Sequence, residues 1–149
     1  IQNRLLRGTP ETENMSVAEY ESLGARFFGL IFKDATVYPA VRKCDALVML
    51  CANYNDALSA NLTACVNRLT ALFRQTRFYD KRLFGLVVSG YSGGDLLARQ
   101  LISALNMNKS FYLPPRFSLL ETANERGSLV KLPGIEAQAA AFARHIAES

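Results

Sequence analysis

Histidine and cysteine are scarce in this chain. A single histidine and three cysteines, Cys44, Cys51 and Cys65, with no C-x-x-C spacing among them, support neither a zinc site nor a disulfide framework. Three buried, reduced thiols in a cytoplasmic protein are the expectation. No apolar run approaches the ~20 residues that cross a bilayer, no secretory signal is expected ahead of the cysteines, and a membrane is therefore not an expected partner. Low-complexity blocks and internal repeats are also missing. Neither G-x-G-x-x-G nor a P-loop ending in Gly-Lys-Ser/Thr occurs, which removes support from the dinucleotide and nucleoside-triphosphate readings. Basic residues outnumber acidic ones by 17 to 13, a net charge of +4, but they are scattered from Arg4 to Arg116 rather than striped among aromatics. Nucleic acid is not expected as a partner, whereas the mild excess suits an anionic small ligand.

What is present is enough for one core. A chain of 149 residues is the size of a single domain and buries roughly 70% of the surface its unfolded form exposes. Residues 1–15 read as a loop or disordered start, because Arg7 to Asn14 is polar, turn-forming and without period. Ser16-Val17-Ala18-Glu19 has the capping-box pattern, and Tyr20, Leu23, Phe27, Phe28, Leu30 and Ile31 recur at helical spacing. Asp34 to Lys43 reads as a short helical segment. Asp45 to Cys51 is an unbroken apolar run of strand length, the pattern of a central strand covered on both faces. Ser59 to Phe73 has the stripe of an amphipathic helix, Leu83 to Val88 is a second buried strand, and Asp95 to Leu105 a second helix. A third strand is expected within Lys109 to Leu113, ended by Pro114-Pro115, and Gly134 to Ala147 reads as a closing helix. Strand, loop and helix thus alternate, which argues for α/β architecture with a parallel sheet and helices on both faces.

In such sheets the ligand sits beyond the carboxyl ends of the strands, and both strand tips here carry irregular loops. The first is Asn53-Tyr54-Asn55-Asp56. The second, Ser89-Gly90-Tyr91-Ser92-Gly93-Gly94, presents backbone N–H groups at a helix start, a place that favours an electron-rich group, and glycine would let that group approach the main chain. A glycine-rich turn alone is a weak signal, since many such turns only satisfy local geometry. Its position after a buried strand strengthens it.

These loops resemble those of the NAD(P)H-dependent FMN reductases, a family of flavodoxin-like fold. Cys51 to Arg68 is similar to that family's T-P-E-Y-N-G-S-x-P-G-x-L-K-N-A-x-D-W, with Tyr54, Asn55 and Leu62 shared. Ser89 to Gly94 is similar to its S-x-G-x-x-G-G, and Glu125-Arg126-Gly127-Ser128-Leu129 to its D-E-D-G-R-L turn. Residues 45–147 would then be the family-like core of a three-layer α/β/α sandwich, one domain over residues 1–149. The departures are Ala52 and Asn53 for the family's Pro and Glu, Asp56 for its Gly, and Thr63-Ala64 for its Lys-Asn. Nothing in residues 1–44 looks like the G-S-x-R-x-x-S loop that holds the FMN phosphate, so the N-terminal end of the sandwich is read as incomplete in this chain.

The resemblance implies FMN and NAD(P)H as cofactors and a quinone, a flavin or another small molecule as electron acceptor. It implies that the flavin ring lies against Asn53, Tyr54, Asn55 and Asp56, with amides of Ser89, Gly90, Tyr91, Ser92, Gly93 and Gly94 directed at its N1 and O2 edge. No side-chain acid or base is required, so no catalytic residue is assigned, and no metal. Homodimers or homotetramers are implied as well; an aromatic cluster of Phe27, Phe28 and Phe32, by default a core, would need cover from another chain if the family's first third is missing. The bland readings are a Tyr54 that covers the following helix, an Asn55 that forms a turn or caps, and a Tyr91 that faces solvent; the motif match reverses the odds for the first two. Asp95 reads as a first-turn complement to the helix dipole and His145 as a last-turn one. Two alternatives stand beside the reductase: a non-catalytic flavodoxin-like binding or assembly module with a degenerate flavin site, and a nucleotide- or sugar-modifying α/β enzyme using the same strand tips.

Overall fold

The computed structural model describes residues 37–149; the expected start over 1–15, the helix through Tyr20 and Ile31 and the cluster of Phe27, Phe28 and Phe32 lie outside them. The elements run α1 (Val37–Lys43), β1 (Ala46–Ala52), α2 (Ala60–Gln75), β2 (Arg82–Ser89), α3 (Gly94–Leu101), β3 (Ser118–Thr122) and α4 (Ile135–Glu148). The three strands form a parallel sheet in the order β1-β2-β3.

Parallel register places Met49 beside Gly85 and Cys51 beside Val87, all on one face because side chains alternate along a strand. That face carries the core. Met49, Cys51, Leu83 and Val87 pack with Val66, Leu69 and Leu72 of α2 and with Leu97 and Leu101 of α3. Gly85 makes the close fit possible, since a Cβ there would come within 2.8 Å of Leu101 Cδ1. Phe78 and Phe111 close the lower end with ring centroids 4.6 Å apart, a pairing that adds about 0.5–1.5 kcal/mol to the burial itself.

The opposite face is covered differently. Phe84 meets Phe142 and His145 of α4 edge-on at 6.0 and 5.8 Å, so α4 lies across the sheet from α2 and α3 and the three layers are present. Its alanines give it little to bury, and no α4 residue is fully buried. Beside it, Val48 is 39% and Leu50 68% exposed. The expectation of a central strand covered on both faces is corrected for the described residues: there β1 is an edge strand, with Met49 and Cys51 buried, Leu47 partly buried against the same core, and Val48 and Leu50 exposed.

The third strand is also corrected. Of the segment Lys109 to Leu113, Tyr112 alone bridges β2, opposite Arg82, donating to the Lys81 carbonyl and accepting from Leu83 N–H. Ser110 with φ 63° prevents an extended approach, and Pro114 and Pro115 have no N–H to continue the ladder. The strand forms after them, where Gly85 N–H reaches Phe117 O at 2.8 Å. The helix expected to stop at Leu105 instead runs on past α3 as a wider π turn, Ile102–Met107. Of the thiols, Cys51 is buried while Cys44 and Cys65 are half-buried, and all three are free. No helix among the described residues is long and apolar enough to cross a membrane.

Two buried features escape pattern reading. Lys81 is 5% exposed, and its Nζ donates to the carbonyls of Arg42 and Cys44, each at 2.9 Å. It thereby satisfies acceptors that the end of α1 leaves open. His145 Nε2 lies 2.7 Å from Pro115 O, tying α4 to the turn that precedes β3.

Candidate functional site

Three strand tips meet at one edge of the sheet. The backbone of Asn53 joins the first to the second, its N–H donating to Val88 O at 2.8 Å. Its side chain completes the junction: Asn53 Nδ2 lies within hydrogen-bonding distance of Ser89 Oγ at 3.2 Å, Ser92 O at 3.1 Å and Asp56 Oδ1 at 3.2 Å. Asn53 Oδ1 is buried and has no donor among the described residues.

Beyond Asn53 the chain reverses over Tyr54 to Ala57, which bridge each other. The two central residues, Asn55 with φ 51° and Asp56 with φ 56°, are both left-handed, as a tight type I′ reversal requires. Asparagine tolerates this conformation and glycine prefers it; aspartate adopts it at a cost of order 1 kcal/mol. The reversal is held against α3 by Gln100, whose Nε2 donates to Asp56 O at 2.7 Å while its Oε1 accepts from Leu58 N–H at 3.2 Å. Ser59 caps α2 through Leu62 N–H.

The second tip is arranged by its carbonyls. Ser89 O accepts from Ala123 N–H and Gly93 O from Leu96 N–H, while Tyr91 O accepts from Thr122 Oγ1 and Ser92 O from Asn53 Nδ2. The N–H groups of Gly90, Tyr91, Ser92, Gly93 and Gly94 have no acceptor among the described residues. The loop therefore ties its carbonyls to neighbouring donors and leaves a run of free N–H groups at the start of α3, where the helix dipole also favours negative charge. Asp95 in the first turn is paired to Arg99 at 3.4 Å, an exposed pair that contributes little.

The glycines of this loop serve the protein's own packing. A Cβ at Gly90 would lie 2.9 Å from Asn124 Oδ1 and one at Gly94 3.2 Å from Ser89 Oγ, while at Gly93, with φ +88°, it would collide with the Asp56 carboxylate. At all three positions an added Cβ would meet a side chain of the chain itself, so local packing already calls for these glycines.

The structure thus gathers Asn53, Asp56, Ser89, Ser92, Gly93 and Gly94 into one hydrogen-bonded or closely packed unit. Tyr91 joins through Asn124, whose Nδ2 donates to the Tyr91 hydroxyl at 3.1 Å. Tyr54 and Asn55 stand on the exposed reversal and make no side-chain hydrogen bond to the second loop among the described residues. Tyr54 is 64% and Tyr91 78% exposed, so both rings are largely open to solvent. Sequence reading missed Gln100, Thr122 and Asn124. The signal for the last two was the strand-tip rule, which pointed elsewhere because the third strand was set before the prolines.

Among protein families, the model of the NADPH-dependent FMN reductases matches residues 12–125. The chain belongs to this family. All three strand tips fall inside the match, which also takes in residues 12–44, where the sequence shows no phosphate-loop motif, and ends before α4. Membership and the parallel sheet between helices together give this FMN reductase family member a flavodoxin-like α/β fold. No curated protein and no solved structure matches the chain significantly.

Proposed function

We propose that this chain is an FMN-dependent oxidoreductase that takes reducing equivalents from NAD(P)H and delivers them to a quinone, a free flavin or another small acceptor. The observation that carries the reading is the donor run of Gly90 to Gly94, with its carbonyls tied down by Asn53 and Thr122. It matches the electron-rich N1 and O2 edge of an isoalloxazine, where negative charge grows on reduction. Bound flavin would supply the electron-transfer chemistry. The chain's own part is to position and to shield: Asn53 locks the two tips at a fixed separation, Gln100 anchors the first of them, and Tyr54 and Tyr91 give the ring apolar flanks. Asn53 Oδ1, the one buried side-chain acceptor left without a donor among the described residues, would take a donor such as the ring N3–H after a small rearrangement.

One observation favours the alternative, a flavodoxin-like binding or assembly module without catalysis: the carboxylate of Asp56 rests over Gly93, against the donor run. The visible spectrum decides between them. Protein mixed with FMN and freed of excess should keep flavin bands that bleach on adding NADPH under nitrogen; a colourless protein overturns the reductase reading. We also propose, from the half-buried free thiols and the exposed Val48 and Leu50, a cytoplasmic homodimer or homotetramer.

A further inference from the structure

Asp56 stands where the family's loop has glycine, and its position raises a question of occupancy. The carboxylate lies against Gly93 in the volume that the missing Cβ leaves free, and Asn53 Nδ2 holds it there at 3.2 Å. Its placement is not forced by the backbone. The reversal is fixed through main-chain atoms, by Gln100 on Asp56 O and on Leu58 N–H, and Asn53 keeps Ser89 Oγ and Ser92 O as acceptors without it.

We propose that Asp56 is a built-in competitor of the flavin, a specificity-determining side chain whose carboxylate covers the glycine turn and must be displaced before the ring edge can reach it. This rests on the flavin reading given above. Two physical effects act together. Volume is the first, since the carboxylate and a flat ring cannot share the surface of Gly93. Charge is the second: the donor run draws electron-rich edges, and a fixed carboxylate beside it repels them. The competition therefore concerns the ring edge and is indifferent to the phosphate, and it sets a threshold that only an edge with strong acceptors crosses.

Three proteins test it, wild type, Asp56→Asn and Asp56→Gly, each titrated with riboflavin and with FMN by quenching of flavin fluorescence. The glycine variant suits the left-handed φ and the asparagine variant keeps the shape without the charge, so both fold; thermal melts check this. The expected result is a Kd lower by about tenfold for Asp56→Gly and by a smaller factor for Asp56→Asn, with the same factors for riboflavin as for FMN. Equal affinity across the three proteins overturns the proposal and leaves the flavin reading standing. A gain confined to FMN also overturns it, because the aspartate would then act on the phosphate. Absence of binding in all three overturns the flavin reading itself, and the proposal with it.

Discussion

Gln100 donates to the carbonyl of Asp56 at 2.7 Å and accepts from Leu58 N–H at 3.2 Å, so one side chain of α3 grips both sides of the reversal after β1. Gln100→Ala removes both bonds. At about 0.5–1.5 kcal/mol each, the expected loss is about 1–3 kcal/mol, concentrated in residues 53–58. Hydrogen exchange checks it: the Leu58 amide should lose protection in Gln100→Ala and keep most of it in Gln100→Glu, which retains the acceptor.

Asn53 is the rivet between the strand tips. Asn53→Leu leaves three acceptors without their donor, but Ser92 O and the Asp56 carboxylate reach water and rehydrate. Ser89 Oγ does not, since Ser89 is 2% exposed, and it decides the magnitude. A loss of about 1–3 kcal/mol is expected, read as a lower denaturant midpoint at unchanged slope.

Lys81 makes a different kind of contact, a buried ammonium on two carbonyls at the end of α1. Lys81→Met keeps the stem and removes the charge. The substitution saves the desolvation of the ammonium and orphans the Arg42 and Cys44 carbonyls, and the second effect wins because a buried charge with its partners in place is already compensated. We expect about 1–3 kcal/mol of lost stability, with fraying of Val37 to Lys43 visible as faster exchange in that helix and unchanged protection in β2.

Burial pushes the Cys51 thiol from its ordinary 9.0 up to about 11, and Cys65 shifts upward for the same reason. Native protein therefore holds these protons to higher pH than unfolded protein does. The contribution is complete below about pH 9 and is lost as pH rises toward about 11. Lys109, pushed downward by desolvation, works in the opposite sense. Denaturant midpoints measured across this window should fall with pH, and should fall less in Cys51→Ala; an equal slope in the variant would remove Cys51 from the effect. The same burial predicts that Cys51 resists thiol reagents that label Cys44.

How much of this was legible in the sequence varies with the kind of force involved. The runs at Ala46–Ala52 and Arg82–Ser89 announce themselves because a strand in a parallel sheet is apolar almost throughout, and the stripe of α2 because its burial is one-sided. The tips were legible as loops, and the pairing of Asn53, Asp56, Ser89 and Gly93 as neighbours followed from the two strands lying side by side. What the glycines do was not legible. Gly90, Gly93 and Gly94 look the same in sequence whether a ligand or the protein fills the space beside them, and the answer lies in Asn124, Asp56 and Ser89, two of which are more than thirty positions from the glycine they meet. β3 was misplaced for a similar reason. Lys109 to Leu113 has the composition of a strand, but a left-handed Ser110 and two prolines defer pairing to Ser118.

The carbonyls of Tyr91 and Ser92, both engaged by side chains, also limit what this edge of the protein can tell apart. A rim whose main chain offers hydrogen-bond donors meets a planar heterocycle chiefly through that ring's lone pairs. It is blind to whether that heterocycle has two fused rings or three. In the flavin reading proposed above, discrimination by size falls to groups that stand outside the glycine turn.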